Sequence, residues 1–349
     1  MTRVAVTGAS GFCGGVVARA AAAAGHEVVC LGRRPGPVGA HRPWDAAAGV
    51  PDLDGVDVVL HLAAAVGDPR PGPGAEAAYA AVNAGGTARL LGALGGRRLV
   101  WVSSASVYAP AGGRPLREDH PATGGRSVYG RTKAAGERLA LDAGAVVLRP
   151  RAVYGHGDPH LLPRLRGAVR GRTLLLPGPD TPMSLTAVEN LAAACLAAAG
   201  LAPDPAPAAR TPVPMAIDAN GRDRAVPNPA AGGDGRPASG SGRPPGAGRP
   251  WTPGAYNIAD AVPYRRDAVV RAVLGSGVRV RHVPVSAARA AAAVAVRVQR
   301  RPVLTPYAVA QLADGVVLDI GRALAEGYRP VRDLDDYLEE AGRGPRPDH

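Results

Sequence analysis

Residues 3–15 read RVAVTGASGFCGG, a short apolar run rich in valine followed by closely spaced glycines. Gly8, Gly11 and Gly14 form a GxxGxxG pattern between this run and an Ala-rich segment. Glycines at a strand-to-helix junction permit a tight turn and let backbone N–H groups approach a pyrophosphate at the helix N-terminus. The stretch therefore predicts an opening strand–turn–helix unit that binds a dinucleotide.

The end of the second predicted strand, EVVCLGRR at 27–34, bears on which dinucleotide binds. An acidic residue there would bind the ribose diol of NAD, but the chain carries Arg33 and Arg34, which suit a 2′-phosphate. The sequence predicts NADP(H) as the preferred cofactor, with NAD(H) as the alternative if both arginines are only solvated. Asp45 is expected either to accept a hydrogen bond from the adenine amino group or to serve as a turn residue.

Further strand-like and helix-like segments alternate along the first half of the chain. Apolar runs at 56–65, 97–108 and 145–155 are separated by helical patterns at 77–94 and 127–144. This alternation predicts an α/β fold: a Rossmann-type doubly wound parallel sheet with a smaller, mostly C-terminal substrate-binding lobe.

The predicted domain limits follow from where this alternation weakens. Residues 201–253 are dominated by Pro, Gly, Ala, Asp and Arg, so we expect a low-complexity, disordered insertion there. The predicted units are a core at 1–155 completed by 184–200 and 254–262, and a substrate lobe at 156–183 and 263–345.

Tyr129 and Lys133, the only lysine in the chain, are four residues apart on a predicted helix and therefore share a face. A cation close to a phenol lowers its pKa, so that the phenol can exchange a proton with a carbonyl or carbinol oxygen. Ser104 lies upstream at the end of a buried strand, where ligands of open α/β sheets bind. Its hydroxyl is expected to bind the same substrate oxygen.

The glycine loop, the strand-end serine and the YxxxK pair, with LHLAAA, VNAGGTARLL and LRPRAVYG, resemble the extended short-chain dehydrogenase/reductase family. The resemblance covers nearly the whole chain except residues 201–254. It implies that Ser104, Tyr129 and Lys133 are catalytic and that Asn83 helps to hold the active site. The cofactor-binding set expected from pattern and resemblance together is Gly8, Ser10, Gly11, Phe12, Cys13, Gly14, Arg33, Arg34, Asp45, Leu62, Ala63, Ala64, Asn83, Tyr129, Lys133 and Pro150.

Two departures from sugar-nucleotide enzymes favour the 3β-hydroxysteroid dehydrogenase-like branch. Epimerases and dehydratases carry Asn where this chain has Ala152, and dehydratases carry Asp–Glu where it has Ala105 and Ser106. The resemblance therefore implies an NADPH-dependent reductase, or reverse dehydrogenase, of a ketone on a small, rather apolar metabolite that is steroid-, β-ketoacyl- or polyketide-like. The alternatives are an NDP-sugar 4-epimerase with tightly bound NAD and a non-catalytic NADPH-binding sensor or scaffold.

Composition and charge argue against nucleic-acid binding, membrane insertion and metal binding. The net charge is +12, but the arginines are scattered and aromatics make up 4%, so no nucleic-acid partner is expected. The three cysteines form no disulfide framework, and no apolar stretch reaches membrane-spanning length, so a cytoplasmic protein without stable membrane insertion is expected. The cluster His156, Asp158 and His160 lacks a third fixed element, and no metal is predicted. Family practice suggests a homodimer through the helices that contain Asn83 and Tyr129.

Overall fold

The computed structural model describes residues 1–67, 69, 73–110, 113–125, 127–202, 215–217, 223–225, 248–275, 277–298 and 305–342. Its strands are β1 (Arg3–Thr7), β2 (Glu27–Gly32), β3 (Ala40–Pro43), β4 (Val58–His61), β5 (Arg98–Val102), β6 (Val146–Pro150), β7 (Val153–Tyr154), β8 (Thr173–Pro177), β9 (Pro182–Met183), β10 (Thr186–Ala187), β11 (Met215–Ile217), β12 (Asp223–Ala225), β13 (Gly254–Ile258), β14 (Tyr264–Arg265) and β15 (Arg279–Val283).

The helices are α1 (Phe12–Ala23), α2 (Pro73–Asn83), α3 (Gly85–Ala93), α4 (Val128–Asp142), α5 (Leu161–Ala168), α6 (Val188–Ala199), α7 (Arg266–Leu274), α8 (Val285–Val298), α9 (Pro306–Ala313), α10 (Gly321–Ala325) and α11 (Leu334–Gly342). A 3-10 turn at Ala105–Val107 follows β5.

The central sheet has seven strands in the order β13-β6-β5-β4-β1-β2-β3, and all neighbours are parallel. Its order reverses at β1, whose neighbours β2 and β4 lead in opposite directions. The predicted Rossmann-type α/β fold is therefore confirmed. Ligands of such sheets bind outside the carboxyl ends of the strands, next to the reversal.

Apart from the edge strand β3, the strands of this sheet are buried on both faces, which explains why they read as nearly continuous apolar runs. Successive side chains of a strand point to opposite faces. Val4 and Val6 of β1 accordingly pack in one hydrophobic cluster with residues of α1 and α6. Ala5, between them, packs in a second cluster with residues of α3 and α4, including Leu90 and Ala140.

The single helix predicted over 77–94 is wrong, because the structure divides this segment into α2 and α3 at Ala84. Gly86, in the first turn of α3, lies so close to Ala46 that a Cβ atom would be 2.8 Å from the Ala46 carbonyl oxygen. Gly86 thus permits α3 to start in close contact with the chain after β3. The helical periodicity of the sequence does not reveal this contact.

The smaller lobe contains the parallel pair β8–β15 with α5 and α7 packed together, and α8 packed on α9. The C-terminal segment is not confined to this lobe, since Ala323 and Tyr328 are buried in the hydrophobic cluster of the central sheet. The predicted insertion at 201–253 lies largely outside the described residues. Its described C-terminal end is packed, with Trp251 buried in the same cluster.

Candidate active site

A cavity of about 1310 Å³ opens at the carboxyl ends of the central strands and extends into the smaller lobe. One half is formed by the glycine loop and by the chain after β2, β4 and β5. The other half is formed by α5, β8, α8 and α9. The predicted site residues that line this cavity are Gly8, Ser10, Gly11, Phe12, Cys13, Gly14, Arg33, Arg34, Asp45, Leu62, Ala63, Ala64, Ser104, Tyr129, Lys133 and Pro150.

The glycine loop is packed too closely for larger residues. Gly8 has a φ of +70°, and a Cβ atom there would lie 2.9 Å from the backbone of Ala63. A Cβ atom on Gly14 would collide with the carbonyl oxygen of Gly8. Helix α1 starts beside them at Phe12, and no side chain caps it. Its first N–H groups are therefore available to a phosphate, so the loop fits the pyrophosphate of a dinucleotide.

The Thr7 hydroxyl holds the opposite wall of this loop in place. Thr7 Oγ1 accepts hydrogen bonds from the N–H groups of Leu62 and Ala63, both at 3.0 Å. It also lies 2.9 Å from His61 Nδ1. Burial lowers the pKa of His61 to about 3, so that this ring, stacked on Trp101, is neutral. His61 is thus a packed strand residue.

Arg33 and Arg34 are exposed at the mouth of the cavity, directly after β2. Strands β1 and β2 are parallel neighbours, so their ends bring both guanidinium groups to the glycine-loop side of the cavity. Asp45 is also exposed there, and its Oδ1 accepts the Ala47 N–H at 2.9 Å. Its carboxylate therefore serves a turn while it faces the cavity, and its hydrogen bond to the adenine amino group stays a prediction.

Ser104 and Tyr129 come together in the cavity, where the two side chains are close enough to interact. Ser104 lies immediately after β5, and Tyr129 is in the first turn of α4, which Ser127 caps by accepting the Gly130 N–H. Burial, together with the neighbouring Tyr307, raises the pKa of Tyr129, while the contact with Ser104 opposes this rise. Tyr129 is thus a neutral phenol at neutral pH.

Lys133 lines the same cavity but points to β5. Its Nζ donates to the Val102 carbonyl oxygen at 2.7 Å and lies 3.7 Å from the centre of the Trp101 ring. Burial lowers the pKa of Lys133 to about 7, against the opposing charge of Glu137. The expectation that Lys133 lowers the Tyr129 pKa is not met in this arrangement, because burial dominates and leaves that pKa raised.

Asn83 does not line the cavity, which corrects its place in the expected cofactor-binding set. Its side chain is buried behind the wall, where Oδ1 accepts the Ala65 N–H at 2.8 Å. Its Nδ2 donates to the Ala65 carbonyl oxygen and to Thr132 Oγ1. Asn83 therefore ties the loop after β4 to α4, in keeping with the architectural role that the resemblance implied.

Sequence reasoning missed four polar residues at the centre of the cavity. Ser106 Oγ receives a hydrogen bond from Ser104 and lies 2.9 Å from Tyr307 Oη. Arg151, at the end of β6, donates to Gln311 of α9. Ser106 and Arg151 stand within recognised motifs, whereas no local pattern marks Tyr307 and Gln311. Their positions depend on how α9 packs against the core.

The residues of the segment GHGDPH serve separate purposes. Asp158 accepts the N–H groups of His160, Leu161 and Leu162 at the start of α5. His156 instead lies beside Tyr337 and Glu340. In the part of the chain that the structure describes, no three metal-ligating side chains form a cluster. Over the same residues, no helix has the length and hydropathy to cross a membrane.

The fold and this cavity define an extended short-chain dehydrogenase/reductase with a dinucleotide-binding cleft. The chain belongs to the NAD dependent epimerase/dehydratase family, whose model matches residues 4–206. The resemblance stated from the motifs is thereby confirmed.

Curated relatives include reductases and steroid dehydrogenases. The 2-alkyl-3-oxoalkanoate reductase of Stenotrophomonas maltophilia is 32% identical over 249 residues, covering 61% of this chain and 72% of the relative. The 3 beta-hydroxysteroid dehydrogenase/Delta 5-->4-isomerase of Mycobacterium tuberculosis is 31% identical over 230 residues, covering 58% and 61%. The dTDP-4-dehydrorhamnose reductase of Streptomyces griseus is 46% identical over 74 residues, only 20% of this chain and 24% of the relative.

Solved structures with this fold hold either dinucleotide. MoeE5 in complex with UDP-glucose and NAD has a TM-score of 0.63 at 23% identity, with 98% of this chain and 99% of that chain covered. The human epimerase family protein SDR39U1 with NADPH has a TM-score of 0.65 at 19% identity, with 99% and 100% covered. At these identities the likeness shows the fold alone.

Proposed function

We propose that this protein is an NADP(H)-dependent reductase, or reverse dehydrogenase, of a ketone on a small and rather apolar metabolite. The observation that carries the proposal is the close approach of the Ser104 and Tyr129 side chains in a cavity that the glycine loop also lines. The curated reductases and dehydrogenases that match the chain support this reaction class.

The residues available to the cofactor fit a dinucleotide phosphate. The uncapped start of α1 would receive the pyrophosphate, and Arg33 and Arg34 would pair with a 2′-phosphate. Lys133 and Tyr129 would hold the nicotinamide riboside end. The bound cofactor supplies or accepts the hydride.

The chain itself moves the proton. Tyr129 is held as a neutral phenol by burial and therefore suits proton donation to a carbonyl oxygen as that oxygen gains charge. Ser104 positions and polarises the same oxygen through its hydroxyl. Lys133 has three N–H donors and, on turning from the Val102 carbonyl oxygen toward a bound ribose, would bring its charge near Tyr129.

The substrate half of the cavity supports an apolar molecule. Leucines line it from α5 and β8, and alanines line it from α8: Leu161, Leu165, Leu174, Leu176, Ala291 and Ala295. Position 152, which is Asn in epimerases, is Ala with a φ of +45° and offers no amide to a sugar nucleotide. These features favour the ketone reductase over the NDP-sugar epimerase, and the Ser–Tyr pair favours an enzyme over a sensor.

The assay that tests this function follows NADPH consumption with steroid, β-ketoacyl, polyketide and nucleotide-sugar ketones. Tyr129→Phe removes the proton donor, so we expect turnover to fall by about 10²- to 10⁴-fold while NADPH affinity stays within a few-fold. Lys133→Arg keeps the charge on a bulkier, planar head group and is expected to lose most activity. Retained turnover in Tyr129→Phe would refute the mechanism, and NAD⁺ that co-purifies with the protein would favour the epimerase.

Two further expectations belong to this proposal. A homodimer would use the exposed faces of α2 and α4, which Arg131 and Glu76 already join through an ion pair at 3.0 Å. Sedimentation of the NADPH-loaded protein measures that state.

A cytoplasmic location agrees with three free cysteines, of which Cys30 and Cys195 are buried.

A further inference from the structure

Arg151 is a buried cation in the wall of the substrate cavity. It follows β6, is 5% exposed and lies among the lining residues. Its Nη1 donates to Gln311 Oε1 at 2.8 Å, and its Nη2 donates to the Gln311 carbonyl oxygen at 3.1 Å. Its Nε is buried without a hydrogen-bond partner among the described residues.

The charge of Arg151 has no acidic partner in contact with it within the described part of the chain. Burial lowers its pKa to about 10, so it remains protonated at neutral pH; Asp314, which opposes this shift, is exposed. The charge of another buried arginine, Arg149, is instead balanced by an ion pair with Glu137. A buried cation with only neutral partners is costly, and a bound anion would relieve that cost.

The position of Arg151 relative to the reacting oxygen limits where such an anion lies. Tyr307 lies on the same face of α9 as Gln311, the partner of Arg151, because the two are four residues apart. Its hydroxyl is 2.9 Å from Ser106 Oγ, which in turn is 3.1 Å from Ser104 Oγ. Arg151 is thus on the same side of α9 as the hydroxyl groups that lead from Tyr307 through Ser106 to Ser104, where we place the ketone. In a 3-oxo acid the carbonyl and carboxyl carbons are two carbon–carbon bonds apart, each about 1.5 Å.

The remainder of the substrate half shows the same charge preference. Its charged lining residues are Arg151, Arg164 and Arg170, with no Asp or Glu among the described residues that line it. Leucines and alanines cover the rest. An acid group near the ketone followed by an apolar chain matches this distribution, whereas a diphosphate would need more than one buried donor group at a single place.

We propose that Arg151 binds a carboxylate of the substrate close to the reacting carbon, so that the preferred substrates are 3-oxo acids, or the matching 3-hydroxy acids, with an apolar chain. This inference rests on the proposed function for the reaction but assigns a separate anion-binding subsite. Gln311 orients the guanidinium through both of its oxygens, and the apolar chain extends along α5 and β8.

The test compares 3-hydroxydecanoate with its methyl ester, which lacks the charge. Oxidation of either by NADP⁺ gives the 3-oxo product, NADPH and a proton, which absorbance follows. We expect the parent to prefer the acid in kcat/KM by about 10- to 100-fold, as a charge-assisted hydrogen bond provides. Arg151→Met should lose that preference while kcat/KM for the ester stays within about threefold. Arg151→Lys should keep part of the preference for the acid. Arg138→Met, at an exposed position of α4, should show the same preference as the parent.

A binding measurement separates this inference from the reaction. In the presence of NADP⁺, 3-hydroxydecanoate should raise the melting temperature of the parent more than its ester does, and this difference should vanish in Arg151→Met. If no substrate is turned over but this difference is found, the proposed function fails and the subsite stands. The subsite is refuted if acid and ester give the same kcat/KM and the same rise in melting temperature with the parent. It is also refuted if Arg151→Met still melts cooperatively with NADP⁺ but loses kcat/KM for acid and ester to the same extent.

Discussion

The ammonium group of Lys133 is held in a nearly dry environment, with 2% of the residue exposed. Removing an ammonium from water costs several kcal/mol, and the Val102 carbonyl oxygen and the Trp101 ring return only part of this. The buried charge of Lys133 is therefore kept at the expense of stability, which agrees with the functional role that we propose for it.

This cost predicts how pH changes the stability of the cofactor-free protein. Burial lowers the pKa of Lys133 to about 7 in the folded state, against 10.5 ordinarily, so between these values the unfolded chain binds a proton that the folded chain does not. Stability due to this group must therefore rise with pH across that window. We expect Lys133→Met to have a higher free energy of unfolding than the parent at pH 6, and this excess to shrink by about 2 kcal/mol at pH 9.

Urea denaturation of both proteins at the two pH values measures this excess. Lys133→Met without cofactor is the test variant, and Arg138→Met at an exposed position of the same helix is the control, for which no pH-dependent difference is expected. An excess that is equal at pH 6 and pH 9 would contradict a depressed pKa for Lys133.

At the level of elements, the end of β2 carries the two arginines that we propose distinguish NADP(H) from NAD(H). Strand β2 pairs with β1 in parallel register, from Arg3 opposite Glu27 to Thr7 opposite Leu31. The chain after β2 therefore emerges beside the glycine loop and presents Arg33 and Arg34 to the same cavity. This arrangement makes both arginines available to the 2′-phosphate that we propose and leaves α1 free for the pyrophosphate.

Replacing both arginines by alanine should weaken NADPH binding by about 10- to 100-fold, because charge-assisted bonds to a 2′-phosphate are lost. NADH has no such phosphate, so its affinity should change by less than about threefold. Fluorescence titration with each cofactor measures both constants. Equal affinity of the parent for NADPH and NADH would remove this role for Arg33 and Arg34.

Considering the whole molecule, the low-complexity segment leaves and rejoins the core at nearly one place. Gly200 ends α6, and a Cβ atom there would lie 3.0 Å from the backbone nitrogen of Pro250. The Trp251 N–H then donates to the Ala198 carbonyl oxygen at 3.2 Å. Within the intervening residues that the structure describes, β11 and β12 pair only with each other. The two ends of the segment therefore adjoin at the core.

We expect removal of residues 203–247, with a short Gly-Ser linker in their place, to leave a folded protein. The melting temperature should change by a few degrees only, and NADPH affinity should be retained, because a shorter loop between adjoining ends costs little entropy. Calorimetry and cofactor titration measure the two quantities. A matched deletion that also removes Trp251 should lower the melting temperature strongly, since this side chain is in the core.

The sequence by itself determined the sheet, the glycine loop and the strand-end and helix positions of Ser104, Tyr129 and Lys133. These features depend on local periodicity and on short spacings, which can be recognised in the sequence without knowledge of the fold. The prediction of a single helix at 77–94 was wrong. Gly86, next to the break, is in close contact with Ala46, and local periodicity does not show such a contact.

Only the tertiary structure decided which way the side chains of this site point and which distant residues join them. Asn83 turned away from the cavity to bind Ala65 and Thr132, and Lys133 turned to the Val102 carbonyl oxygen. The Ser106–Tyr307 contact joins residues 201 positions apart, and the Arg151–Gln311 bond joins residues 160 positions apart. Such contacts arise from the packing of α9 against the core, and no local pattern encodes that packing.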